Sequence, residues 1–140
     1  QENYFGGHIM AMIGSQMFVS GIELNRMGQH MNLARYPIHW HLVGEGQGQY
    51  IRNSAIHNSY NRCVTVHGTN NVRVENNVTY NTVGHCFFLE DAVETGNVFA
   101  YNLGIQTKCH PTLPCDPTNL GPGRGIGGTA GQRAEHVLLP

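Results

Sequence analysis

The chain has 140 residues, with eight Lys or Arg against nine Asp or Glu and a formal net charge of −1. A balance so near zero excludes a nucleic-acid partner, which needs a basic face to neutralise phosphates. Only 12% of residues are charged and 18 are glycine, so long amphipathic helices are excluded and one domain of turn-rich β structure is expected.

From the N-terminus, the first strand-and-turn unit is Ser20-Gly-Ile-Glu-Leu-Asn25. It matches Asn53–Asn58 at an offset of 33. Tyr36-Pro-Ile-His-Trp-His41 aligns with Arg62-Cys-Val-Thr-Val-His67 at 26, and that segment aligns with His85-Cys-Phe-Phe-Leu-Glu90 at 23. Ile51–Ser59 aligns with Val74–Thr82, again at 23, and Asn97–Asn102 matches Asn76–Asn81 at 21. A period in the low twenties, with short alternating strands and Gly/Asn turns, is the mark of a β-solenoid. The expected fold is all-β, a right-handed parallel β-helix over 1–107. Asn25, Asn58, Asn81 and Asn102 recur at one place per coil, which suits a turn ladder because Asn tolerates left-handed backbone.

Alternation then orients the strands. Ile38, Trp40 and Leu42 take the inner face, as do Val64 and Val66, and Phe87 and Leu89. His39, His41, Thr65, His67, Phe88 and Glu90 take the outer face. Rungs sit about 4.8 Å apart, so His41, His67 and Glu90 form an outward column with Asp91 at its end. Tyr36, Arg62 and His85 occupy equivalent places one step earlier, and Arg35 adds a cation. His30 and His57 fall outside this column.

Residues 108–133 carry most of the prolines and a Gly-rich run, and read as an excursion lying over a face of the solenoid. A further strand starts within 134–140. The chain opens on Gln1 and closes on an apolar Val137–Pro140, which reads as a segment of a longer solenoid. Such a segment exposes sheet edges at its ends, through which copies could associate. Cys109 and Cys115 bracket a short loop that a disulfide would staple. Cys63 and Cys86 align on neighbouring rungs, compatible with a buried thiol stack or with a disulfide. CxxC zinc spacing is absent, and an even cysteine count fits an oxidising compartment.

Carbohydrate-active β-helices bind glycans along an outer strand face, an analogy of fold alone. The column supplies what cleavage of an acidic glycan needs: His41 or His67 as base or acid, Glu90 or Asp91 as partner, and Arg62 as a clamp for a uronate carboxylate. Arg35, Tyr36, His39, His85 and Phe88 are candidate substrate contacts. The same His41, His67 and Glu90 are an adequate set for a divalent metal ion, while no cofactor is specified by any motif. Against both stands the plainer reading of a ladder of stacked like residues, which any repeating coil can produce.

Four blocks carry a family resemblance: Asn25-Arg-Met-Gly-Gln29, Arg35-Tyr-Pro-Ile-His-Trp-His41, Arg62-Cys-Val-Thr-Val-His-Gly68 and Gly84-His-Cys-Phe-Phe-Leu-Glu-Asp91. Together they resemble the β-helix region of the cell migration-inducing and cell-surface hyaluronidase family, shared with fibrocystin-like proteins and microbial homologues. The resemblance spans roughly Gly6 to Lys108, and the excursion beyond it is similar to the microbial and algal branch. It implies a right-handed parallel β-helix, an extracellular, secreted or cell-surface setting, and hyaluronan as the substrate of the animal members. Animal members also suggest calcium, although histidine is a poor calcium ligand. Three functions follow as expectations: a hyaluronidase-like polysaccharide hydrolase or lyase, a glycan-binding module that does not cut, and a structural, fibre-forming solenoid.

Overall fold

A computed structural model of the protein describes residues 3–108. Every regular element among them is a strand: β1 (Ile9–Ala11), β2 (Phe18–Ser20), β3 (Glu23–Asn25), β4 (Ile38–Glu45), β5 (Tyr50–Arg52), β6 (Ala55–His57), β7 (Val64–Asn70), β8 (Arg73–Glu75), β9 (Val78–Val83), β10 (Phe87–Leu89), β11 (Val98–Ala100) and β12 (Leu103–Lys108). No helix among the described residues is long and apolar enough to cross a membrane. Cys109, Cys115, the rest of the expected excursion and the strand expected within 134–140 lie outside the described residues.

The strands form three four-stranded sheets, ordered β1-β4-β7-β10, β2-β5-β8-β11 and β3-β6-β9-β12. Within each sheet, strands of successive coils pair in parallel. This is a parallel β-solenoid, and its core is built from stacked like residues. Ile38 lies on Val64 and Trp40 on Val66 in the first sheet. Val19, Ile51, Val74 and Phe99 stack in the second. Trp40 is fully buried, and its indole N–H donates to Gln49 Oε1 at 3.0 Å. It is a core residue, as the alternation predicts.

The registers at 26 and 23 hold: His41 pairs with His67, and Phe87 with Val64. Two other alignments need correction. The early copy stacks at 32, as the Ile22–Ser54 hydrogen bond shows. The last copy stacks at 25, with Asn77 donating to Asn102 Oδ1 at 3.0 Å. Turn lengths differ between coils, and sequence similarity alone does not register them. Asn102 therefore leaves the expected ladder. Asn58 donates to Asn25 and Asn81 donates to Asn58, at 3.1 and 2.7 Å, while Asn77 and Asn102 form a separate buried pair.

Cys63 and Cys86 form a disulfide between neighbouring coils. That settles the pairing left open by their alignment. His57 accepts a surface role outside the column, bonded to Glu23 at 2.7 Å.

Candidate functional site

The site is the outer face of the first sheet, where β4, β7 and the end of β10 place His39, His41, His67 and Glu90 together. His41 and His67 are register partners, and their Nδ1 atoms lie 3.0 Å apart. Glu90 follows β10 and is held there by its amide, which donates to the Val66 carbonyl at 2.9 Å. One carboxylate oxygen of Glu90 lies 3.0 Å from Arg62 Nη1. The other lies 3.8 Å from His67 Nδ1 and 3.9 Å from His39 Nε2. Asp91 Oδ2 lies 3.1 Å from His67 Nε2.

Alternation fails on this face, because the face is covered. The connection between β3 and β4 folds over it: Asn61 donates to the carbonyls of Gln29 and Asn32, and His39 Nδ1–H donates to the Ala34 carbonyl at 3.1 Å. His39 and Thr65, expected to face outward into solvent, are buried. Leu42, expected inside, is 51% exposed. A register shift between His41 and Gly44, with Leu42 at φ 55°, turns it out of the alternation. Leu89 is also exposed, at the end of its strand.

Burial changes several assignments. Arg62 is 0% exposed and spends its guanidinium on Tyr36 Oη at 2.6 Å and on Glu90. It lies 4.4 Å above the Phe88 ring. It holds Glu90. Tyr36 and His39 are likewise buried and support the site from beneath. Arg35, His85 and Phe88 keep partial exposure, and the His85 and Phe88 rings stack at 4.9 Å. Among the acid–base groups, His67 is 21%, Glu90 18% and Asp91 47% exposed.

Electrostatics separate the histidines. Burial, helped by His41, His67 and Arg62 nearby, lowers His39 from 6.5 to about 4 against the opposing pull of the Ala34 carbonyl. His39 is therefore neutral at physiological pH. With its Nδ1 proton given to Ala34, its lone pair sits on Nε2, facing Glu90.

One positioning residue escapes sequence reasoning. Glu94 accepts the amides of Gly68, Asp91 and Val93 at 3.0, 3.2 and 3.1 Å. It thereby ties the turn that carries Asp91 to the end of His67's strand. Burial acts to raise its carboxyl, but these amides outweigh burial and lower it. The signal was a carboxylate three residues beyond Asp91, a spacing that caps a turn.

The chain as a whole matches a known family. The profile described as CEMIP beta-helix matches residues 4–125. The chain is 42% identical over 123 residues to the human protein named cell surface hyaluronidase CEMIP2, covering 82% of the chain and 9% of that protein. It is 48% identical over 100 residues to communication mutant protein F of Dictyostelium discoideum, covering 71% and 9%. It is 42% identical over 120 residues to the mouse cell migration-inducing and hyaluronan-binding protein, covering 80% and 9%. The chain thus spans about a tenth of the length of these relatives.

Proposed function

We propose that this chain, which belongs to the CEMIP beta-helix family, is a hyaluronan-related β-helix module that acts at the cell surface or outside the cell and depolymerises hyaluronan or another acidic glycan. The observation that carries this reading is the His67–Asp91 pair, 3.1 Å apart and open to solvent, with Glu90 3.8 Å from the other ring nitrogen. Hydrolytic and lytic cleavage share one requirement. A group must take a proton, and another must give one to the departing glycosidic oxygen. His67, oriented by Asp91, is the base or acid, and Glu90 is its partner. The relatives named cell surface hyaluronidase and hyaluronan-binding protein support the substrate class and the location. The Cys63–Cys86 disulfide supports an oxidising compartment.

Binding without cleavage is the second reading, favoured by the partly exposed His85–Phe88 stack beside Arg62, a surface on which a sugar ring can lie.

The test is depolymerisation of size-defined hyaluronan by the full-length protein that carries this chain, beside His67→Ala and Asp91→Asn. The expected result is cleavage reduced about 100-fold or more by His67→Ala, and less by Asp91→Asn. Full cleavage by His67→Ala, or glycan retained uncut by the unaltered protein, would overturn the catalytic reading.

A further inference from the structure

We infer that His39 Nε2, His41 Nδ1 and His67 Nδ1, with Glu90 Oε2, form a site for one divalent transition-metal ion of the zinc class. One ring nitrogen from each histidine lies within 4.8 Å of the others. The two Nδ1 atoms are 3.0 Å apart, and Glu90 Oε2 is 3.8 and 3.9 Å from His67 Nδ1 and His39 Nε2. Bonds of about 2.0–2.1 Å to a tetrahedral ion put neighbouring ligand atoms about 3.3 Å apart. Small side-chain rotations close the difference.

Two independent observations point to a ligand. His39 is 1% exposed, yet among the described residues its Nε2 has no hydrogen-bond partner, and neither has Glu90 Oε2. A buried acceptor without a donor is costly, and both of these acceptors face the same gap. The second observation is the set of bonds behind the rings. His39 gives its other N–H to the Ala34 carbonyl. His67 has its Nε2 against the Asp91 carboxylate. Such outer partners fix the tautomer that leaves the inner nitrogen's lone pair free, as metal-ligating histidines require. Arg62 brings positive charge close to the gap, but its Nη1 is paired with Glu90 Oε1 at 3.0 Å. Three imidazoles select against calcium and magnesium, which take oxygen ligands.

In assigning the ion a task, the inference rests on the glycan reading above for its substrate class. With the ion bound, His67 and Glu90 are ligands, and the proton-transfer roles given them above do not apply. Arg62 is buried and its Nη1 is paired with Glu90, so the ion, and not Arg62, is assigned to neutralise a uronate carboxylate here. Four protein ligands fill a tetrahedral ion, so that carboxylate would join as a fifth ligand, or replace Glu90, from the exposed side of His41 and His67.

The test starts from metal content, without glycan. The full-length protein is stripped with chelator, dialysed against micromolar zinc or cobalt, and measured by elemental analysis and by cobalt absorption. The expected result is one additional ion per chain relative to the His41→Ala/His67→Ala double variant. Asp91→Asn should keep the site and weaken it by about 10–100-fold. Circular dichroism of each variant checks folding, and His41→Ala alone serves if the double variant unfolds. No additional ion, or equal binding by a folded variant, overturns the site. An ion bound with no glycan cleavage would sink the glycan reading and leave the site. Cleavage by chelated protein with no ion bound would do the reverse.

Discussion

The first and second sheets of this solenoid have the same strand count and the same parallel pairing, yet they treat their outer faces in opposite ways. In the second sheet, Val19, Ile51, Val74 and Phe99 face the core, while Ser20 and Arg52 lie exposed. That is the ordinary half-buried strand. In the first sheet, Ile38, Trp40, Val64 and Val66 face the core, and His39, Thr65 and Arg62 are also buried on the other side. A polar set buried on an outer face costs desolvation that apolar packing would avoid. The second sheet shows that the coil does not require it. The difference marks the outer face of the first sheet as the candidate site within one repeating architecture.

The largest expected effect lies on the inner side of the first sheet. Trp40→Ala should cost about 4 kcal/mol of stability, from lost burial and the cavity left behind, while Gln49 Oε1 loses one of its two donors and keeps the Met17 amide. Urea unfolding measures it. A loss no larger than about 1 kcal/mol would mean that this sheet is not part of the core the comparison assumes.

A somewhat smaller effect belongs to the outer side of the same sheet, in protein freed of metal by chelator. Unfolded His39 takes up a proton as the pH falls below 6.5, whereas the folded residue resists until about 4. The unfolded state then binds more protons, so stability is full above 6.5 and declines through that window by up to about 3 kcal/mol. His39→Gln should flatten the pH dependence over this range. A profile unchanged by the variant would contradict burial of a neutral His39. No matching effect is expected from the second sheet, which carries no buried histidine among the described residues.

The smallest effect sharpens the contrast. Arg52 is exposed and lies 4.2 Å over the Tyr50 ring. Arg52→Ala should change unfolding free energy by less than about 0.5 kcal/mol and leave hyaluronan cleavage alone. A clear loss of cleavage would mean that the second sheet also meets the glycan.

How much of this was legible in the sequence depended on which residues carry the signal. The pairing of His41 with His67, and of both Val66 and Leu89 with the Trp40 position, follows from similarity at 26 and 23, because each offset stays constant along the aligned segment. Asn102 was misplaced, since extra residues in the turn around Glu94 move its coil to an offset of 25. His39 and Thr65 were read as exposed because period-two alternation separates the two faces of a strand but says nothing about what covers either. Leu42 was misread because the register shift beside it breaks the period. The Cys63–Cys86 alignment gave proximity, which a thiol pair and a disulfide satisfy equally. The clustering of His41, His67 and Glu90 was legible as a column, but the burial of Arg62 against Glu90 was not.

The most direct test of the division between scaffold and site is to measure hyaluronan cleavage and unfolding free energy together on the unaltered full-length protein and on His67→Ala. The account predicts cleavage reduced about 100-fold or more with stability changed by less than about 1 kcal/mol. Cleavage left intact, or cleavage lost only in step with stability, would contradict it and make the histidine face one more part of the scaffold.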